Sequence, residues 1–372
     1  MFRSIRLFKI AGIPVFVHWT FFILLFYVIG QGIAESDTIA QLIFEVSILL
    51  SVFMCVTLHE YGHALTAKRF GIITQDIILS PIGGIARLSG LPDKPFQEFL
   101  VAIAGPLVNV AIVILISVLV FFLYPGESFN PDLQKITHQN FADNYLFIMK
   151  YINISLIVFN MIPAFPMDGG RVLRSLLAMK FGKVTATRVA AFIGQIIAVL
   201  FIIIAITRYP IMGAQISTME QFTLSIIGIF IFSMARTEYT SVKLENKLMK
   251  TTAAEIMEPH FTHLYITDNI DFALSRFQAG IEKEFLVFDK DDQCVGTLKK
   301  EILELLLQRG EHATVQSFYF PIINSLHIED TLKDIMKIIS QSKETIFPVY
   351  DHDKVVGALY RTEIEKVFRK GL

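Results

Sequence analysis

His59 and His63 stand four residues apart, with Glu60 directly after the first, in the stretch T57-L-H-E-Y-G-H-A-L-T-A-K68. On a helix, positions i and i+4 share a face, so two imidazoles there can grip one cation. A carboxylate one position along reaches a water beside that ion. The set H-E-x-x-H therefore suits zinc-assisted hydrolysis of a peptide, with the glutamate as general base. Catalytic zinc commonly takes three protein ligands and keeps one position for water. The third ligand must come from elsewhere in the chain.

The elements that must position these residues are greasy ones. The run before the motif, V46-S-I-L-L-S-V-F-M-C-V-T57, is almost wholly apolar. Of the 372 residues, 53% are hydrophobic and 18% charged. An ordinary soluble domain carries roughly 25% charge. Charges are sparse before about residue 235 and frequent after it, which predicts a membrane domain over 1–240 and a soluble one over 241–372. Six segments approach the roughly 20 apolar residues that a spanning helix needs: 13–31, 45–66, 98–123, 145–163, 187–207 and 218–235. Between the second and third, R69-F-G-I-I-T-Q-D-I-I-L-S-P-I-G-G-I-A-R87 reads as strand and turn, which at membrane depth must be satisfied by protein or a cavity. The expected fold class is a polytopic α-helical membrane protein, with six transmembrane helices, a membrane-embedded β-region and an α/β tail.

The basic residues orient it. Arg3, Arg6 and Lys9 precede the first span, and Lys68, Arg69, Arg87 and Lys94 lie between the second and third. Arg171, Arg174, Lys180, Lys183 and Arg188 lie between the fourth and fifth, and Arg236, Lys243, Lys247 and Lys250 follow the sixth. The alternate loops hold only Lys135 and Arg208. This pattern predicts a multi-pass protein of the cell membrane with both termini cytoplasmic. A net charge of −1 offers no nucleic-acid surface. Cys55 and Cys294 lie in different regions and make no paired metal motif.

Depth selects the third ligand. Entering near Val46 from outside, the second span carries His59 about 20 Å and His63 about 26 Å into the membrane. The fourth span, entering near Tyr145, carries Asn160 to about 22 Å. There N160-M-I-P-A-F-P-M-D-G-G-R171 breaks the helix at Pro163 and Pro166 and returns Asp168 to the level of His63. Asp168 is expected as a metal ligand, with a cap on the following helix as the alternative. Asn160 is a candidate catalytic residue, as oxyanion donor or substrate clamp. His18 reads as an interfacial residue beside Trp19, Cys55 as a small buried one, and His138 as part of an outer loop. The open strand edge in 70–90 suits an extended peptide substrate, with a re-entrant plug as the alternative.

H59-E-Y-G-H63 followed by N160-x-x-P-x-x-P-x-D168-G169 resembles the site-2 protease family of intramembrane zinc metalloproteases, peptidase family M50, in its prokaryotic group with regulatory tails. The resemblance covers about residues 10–235. It implies that His59, His63 and Asp168 bind Zn2+, that Glu60 activates water, and that Asn160 lies near the site. P81-I-G-G-I-A-R-L88 resembles the family's membrane-embedded β-region. V17-H-W-T-F21 resembles its first-span signature, which often has proline where Trp19 or Thr20 stands. The implied substrate is a membrane-anchored protein, often a regulator of transcription, cut in or near its transmembrane segment.

The tail looks duplicated, over about 251–308 and 312–370. TAAEIMEP (Thr252–Pro259), D268-N-I-D-F-A-L274, F285-L-V-F-D289 and C294-V-G-T-L298 find counterparts in T314-V-Q-S-F, E329-D-T-L-K-D-I335, I346-F-P-V-Y-D351 and V355-V-G-A-L359. The pair resembles cystathionine-β-synthase-type (CBS) domains, which implies ATP or AMP between the copies. The family commonly has Ser or Thr three residues after the strand glycine and Asp six after it. Here Lys299 and Ile302 follow Gly296, and Tyr360 and Glu363 follow Gly357. Glu363 is the residue left to meet a ribose hydroxyl. A homodimer through the tail, docking substrate, is the alternative to nucleotide sensing. For the whole chain the rivals are a transporter with a ligand-sensing tail and an inactive membrane scaffold. Both leave the two motifs, or the intact Glu60, without a purpose.

Overall fold

The computed structural model describes residues 4–35, 38–81, 83–90, 92, 94–123, 141–207, 217–280, 282–309, 314–322 and 324–369. His138 and the basic residues Arg3, Lys135 and Arg208 lie outside the described residues. The chain divides into two compact units, Met1–Thr240 and Ser241–Leu372.

The first unit opens with strands β1 (Ser4–Ile10) and β2 (Ile13–His18), helices α1 (Thr20–Ala34) and α2 (Ile39–Arg69), and strands β3 (Thr74–Ser80) and β4 (Gly83–Leu88). Helices α3 (Pro95–Leu123), α4 (Phe141–Asn160), α5 (Asp168–Phe181), α6 (Lys183–Thr207) and α7 (Thr218–Lys250) follow, the last ending in the second unit. The expected first span at 13–31 begins too early. Ile13, Val15 and Val17 are buried while Pro14, Phe16 and His18 are half-exposed, a period of two that belongs to a strand. Among the described residues, α2, α3, α6 and α7 are long and apolar enough to cross a membrane, and the apolar helices Thr20–Ala34 and Tyr145–Asn160 are shorter. The sixth expected segment, 218–235, is the first part of a helix that runs on to Lys250. The stretch after Asp168 forms the helix α5, as the sequence allowed.

The strands form one sheet in the order β1-β2-β3-β4, parallel between β2 and β3 and antiparallel elsewhere. Its buried face, with Ile13, Val15, Val17, Ile77 and Leu79, packs on Phe21 of α1 and on Tyr61 and Ala64 of α2. Tyr61 donates its hydroxyl to Ile13 O at 3.1 Å, so the sheet is pinned to the helix that bears the H-E-x-x-H motif. The start of α2 is set by a capping box between Thr38 and Gln41, and Lys68 and Arg69 sit favourably in its last turn. Helices approach closely where side chains are small. A Cβ on Gly62 of α2 would meet Ala104 O of α3 at 2.7 Å. On α6, Ala190, Gly194 and Ala198 recur every fourth residue and are met by Ala164, Ala235 and the α7 residue Gly228.

The second unit continues with α8 (Ala253–Ile256), β5 (His263–Tyr265), α9 (Ile270–Gln278), β6 (Phe285–Phe288), β7 (Cys294–Leu298) and α10 (Lys300–Arg309). Then come β8 (Phe320–Pro321), β9 (Leu326–His327), α11 (Leu332–Gln341), β10 (Ile346–Asp351), β11 (Lys354–Tyr360) and α12 (Arg361–Arg369). The two halves repeat one pattern: a parallel pair joined through a helix, then an antiparallel hairpin, then a second helix. Asn269 caps α9 and Thr331 caps α11 at matching places. Each half lends its start to the other. Phe320–Pro321 pairs with β7, and Glu258 bridges Ala358 of β11. The glycines of the two hairpins make room for this: a Cβ on Gly296 would meet Tyr319 Cδ2 at 2.3 Å, and one on Gly357 would meet Met257 Sδ at 2.5 Å. An apolar cluster of Leu286, Phe288, Ile346, Val355 and Ala358 joins the halves.

Candidate metal centre

His59 and His63 lie on one face of α2, and Asp168 opens α5, so three buried side chains from two helices meet. His59 Nε2 is 3.0 Å from Asp168 Oδ2, His63 Nε2 is 3.2 Å from the same oxygen, and the two nitrogens are 3.1 Å apart. Asp168 does not cap α5: Met167 holds the cap position with no side-chain bond, and the carboxylate turns to the histidines instead.

The protons decide what this triangle needs. His63 Nδ1 lies 2.7 Å from Val101 O of α3. A carbonyl only accepts, so Nδ1 carries a hydrogen, and in the neutral ring Nε2 keeps its lone pair for a ligand bond. His59 Nδ1 lies 2.9 Å from Asn109 Oδ1, also on α3. The orientation of that amide follows from its neighbours. Asn109 Nδ2 donates to Asn153 Oδ1 at 3.3 Å, and Asn153 Nδ2 donates to Met149 O at 2.8 Å and to Cys55 Sγ at 3.4 Å. His59 is therefore also protonated at Nδ1. With both rings neutral, two lone pairs and a carboxylate oxygen converge, a donor set that a cation can satisfy. Ligand atoms about 2.0–2.1 Å from a tetrahedral zinc stand about 3.3 Å from one another. The observed edges of 3.0–3.2 Å fit that within a few tenths of an ångström.

Gly105 of α3 forms the floor. A Cβ there would lie 2.3 Å from His63 Nε2 and 2.6 Å from His59 Nε2. Glu60, on the same helix as the histidines, accepts the N–H of Ala86 at 3.2 Å. Ala86 is in β4, which among the described residues has β3 as its one neighbour in the sheet. A Cβ on Gly84 would meet Glu60 Cγ at 2.7 Å, so the strand crosses close above the glutamate.

Asn160 closes α4, half-buried, and its side chain makes no hydrogen bond to a described residue. His18 bonds Thr20 instead of entering the metal corner. Cys55 lies behind the centre on Asn153. Gly105, Asn109 and Asn153 were not singled out from the sequence. The two asparagines carried a usable signal, since polar groups inside apolar helices face the protein interior. A family model described as peptidase family M50 matches residues 47–204. A zinc metalloprotease of Methanocaldococcus jannaschii is 33% identical over 369 residues, covering 97% of this chain and 95% of that one.

The chain belongs to peptidase family M50.

The solved site-2 protease of Methanocaldococcus jannaschii is 32% identical to this M50 protease, covering 64% of it and 95% of the solved chain, with a TM-score of 0.44. An Arabidopsis thaliana CBS-pair protein in complex with AMP matches 32% of it and 97% of its own chain, at 18% identity and a TM-score of 0.28. This M50 protease is a zinc metalloendopeptidase, and its four long apolar helices mark it as a membrane protein.

Proposed function

We propose that this protease hydrolyses a peptide bond in or near a transmembrane segment of a membrane-anchored protein. In this reading His59, His63 and Asp168 hold the zinc ion and Glu60 is the general base. One observation carries it: two imidazole Nε2 atoms and a carboxylate oxygen converge from α2 and α5 within 3.0–3.2 Å of one another, while each Nδ1 turns to an oxygen of α3. The chemistry that zinc supplies when bound there is acidification of water and polarisation of a carbonyl. The Glu60 carboxylate takes the proton of the attacking water and hands it to the leaving nitrogen. Its bond to Ala86 N–H aims it at the open edge of β4, where an extended peptide can add as a further strand. Asn160, at the end of α4, is the clamp for the substrate backbone.

We read α1 and α4 as two further, shorter spans, which makes six. The sheet then sits at membrane depth with both termini cytoplasmic, as the basic residues indicate. The tail, as a CBS-type pair, regulates the protease. Two roles fit it: binding of ATP or AMP, or dimerisation and substrate docking. Glu363, the acid left for a ribose, is ion-paired with Lys366 at 2.6 Å. Equilibrium dialysis with either nucleotide separates the two roles.

The test of the chemistry sets the purified wild type beside E60Q. Both should bind zinc, and only the wild type should cleave a membrane-anchored substrate, with the cut mapped by mass spectrometry. Cleavage by E60Q removes Glu60 as the base. A wild type that binds no zinc removes the metal reading.

A further inference from the structure

Six residues after Asp168, α5 carries Arg174, whose side chain is fully buried. Its Nε donates to Glu98 Oε1 at 2.7 Å, and Nη2 lies against the same oxygen as an ion pair without hydrogen-bond alignment. Nη1 donates to Glu238 Oε1 of α7. The guanidinium carbon stands 5.0 Å from the centre of the Phe165 ring.

Two of these partners, Glu98 and Phe165, bear on the metal corner. Glu98 sits in the first turn of α3, the helix whose Val101 O and Asn109 Oδ1 hold both histidines. Phe165 belongs to the connection that delivers Asp168. One side chain thus locks α5 to the helix behind the histidines and to the segment leading into the carboxylate. A slip of α5 by one residue's rise, about 1.5 Å, would take Asp168 out of a triangle whose edges are 3.0–3.2 Å. A buried ion pair adds little net stability over apolar packing, and its attested use is to specify one arrangement. The planar guanidinium also fixes angles that an ammonium group does not.

We infer that Arg174 is a positioning residue that sets the registry of Asp168 against His59 and His63, and so the affinity of the centre for zinc. The inference rests on the metal reading above. Its test is the zinc affinity of the full-length protein in detergent micelles, by competition with a chromogenic chelator. The set is wild type, R174K, E98D and the double variant E98Q/R174M, each with the melting temperature of its metal-free form. R174K and E98D keep all three charges, and the double variant removes the Arg174–Glu98 pair while leaving Glu238, whose side chain is 30% exposed, to water. Each should bind zinc at least about tenfold more weakly, the scale seen when groups behind metal ligands are lost. Affinity within twofold of the wild type in the folded variants overturns the inference. So does a loss of affinity that simply follows the metal-free melting temperature across the set. A wild type that binds no zinc overturns the metal reading and this inference together, whereas zinc binding unchanged across the set overturns this inference alone.

Discussion

Gly105→Ala should dismantle the metal corner while making α3 a better helix. The added Cβ would stand 2.3 Å from His63 Nε2, 2.6 Å from His63 Cε1 and 2.6 Å from His59 Nε2. Non-bonded heavy atoms settle at about 3.5 Å or more, so the rings or the helix must give by roughly 1 Å. Retreat of α3 is opposed, because its Val101 and Asn109 hold the same rings through hydrogen bonds that separation would break. The rings must turn instead. A zinc–nitrogen bond of about 2.0–2.1 Å tolerates about 0.2 Å of error, far less than this displacement. Losing a partner behind a ligand weakens metal binding about 10–100-fold, so displacing a ligand itself should weaken it at least about 100-fold. Meanwhile, glycine to alanine inside a helix stabilises by roughly 0.5–1 kcal/mol. The two effects have opposite signs, which separates a site defect from a folding defect. Chelator competition reads the zinc, cleavage of a membrane-anchored substrate reads the activity, and the metal-free melt reads the fold. A G105A protein that binds zinc as tightly as the wild type refutes the geometry on which the whole site is built.

Asn109→Ala removes the acceptor of His59 Nδ1 and should weaken zinc binding about 10–100-fold, while N109D, which keeps an oxygen there, should recover most of it. Equal affinities in the two variants would rule out the tautomer argument. In the tail, Gly296→Ala drives a Cβ to 2.4 Å from Phe320 O and should destabilise the β7–β8 pairing by about 1–3 kcal/mol, seen as a lower melting transition of the tail. Burial pushes the Cys294 thiol up to about 11, so at pH 8 about one thiol in a thousand is ionised, against about a quarter for a cysteine at 8.5. A disulfide reagent should label it slowly until denaturant is added, and rapid labelling of the folded protein would contradict its burial. The unfolded thiol ionises first, so this group's support for the folded tail is intact below about pH 8.5 and is lost as the pH climbs towards about 11.

Much of the site was legible because it rests on local geometry. A spacing of four on a helix puts His59 and His63 on one face wherever that helix lies. Counting the rise along two apolar runs brought Asp168 to the level of His63 without any knowledge of the fold. The strand at Ile13–His18 was missed, because I-P-V-F-V-H is apolar on both faces and a search for long apolar runs merges a strand with the helix after it. Asn160 was chosen for its place in a motif, and its side chain makes no hydrogen bond to a described residue.

The amino-acid order by itself determined which residues share a helix face, where helices must break at Pro163 and Pro166, and that a charged tail follows a greasy domain. All of these depend on near neighbours along the chain. Only the tertiary structure decided that α3 would supply the floor and both histidine acceptors, and that Arg174 would join Glu98 to Glu238 across 140 positions of sequence. The physical reason is that a hydrogen bond or an ion pair is made by proximity and orientation. Between residues on different helices, those are set by how the small-residue faces of Gly62, Gly105 and Gly194 let the helices meet, and spacing along one chain does not record it.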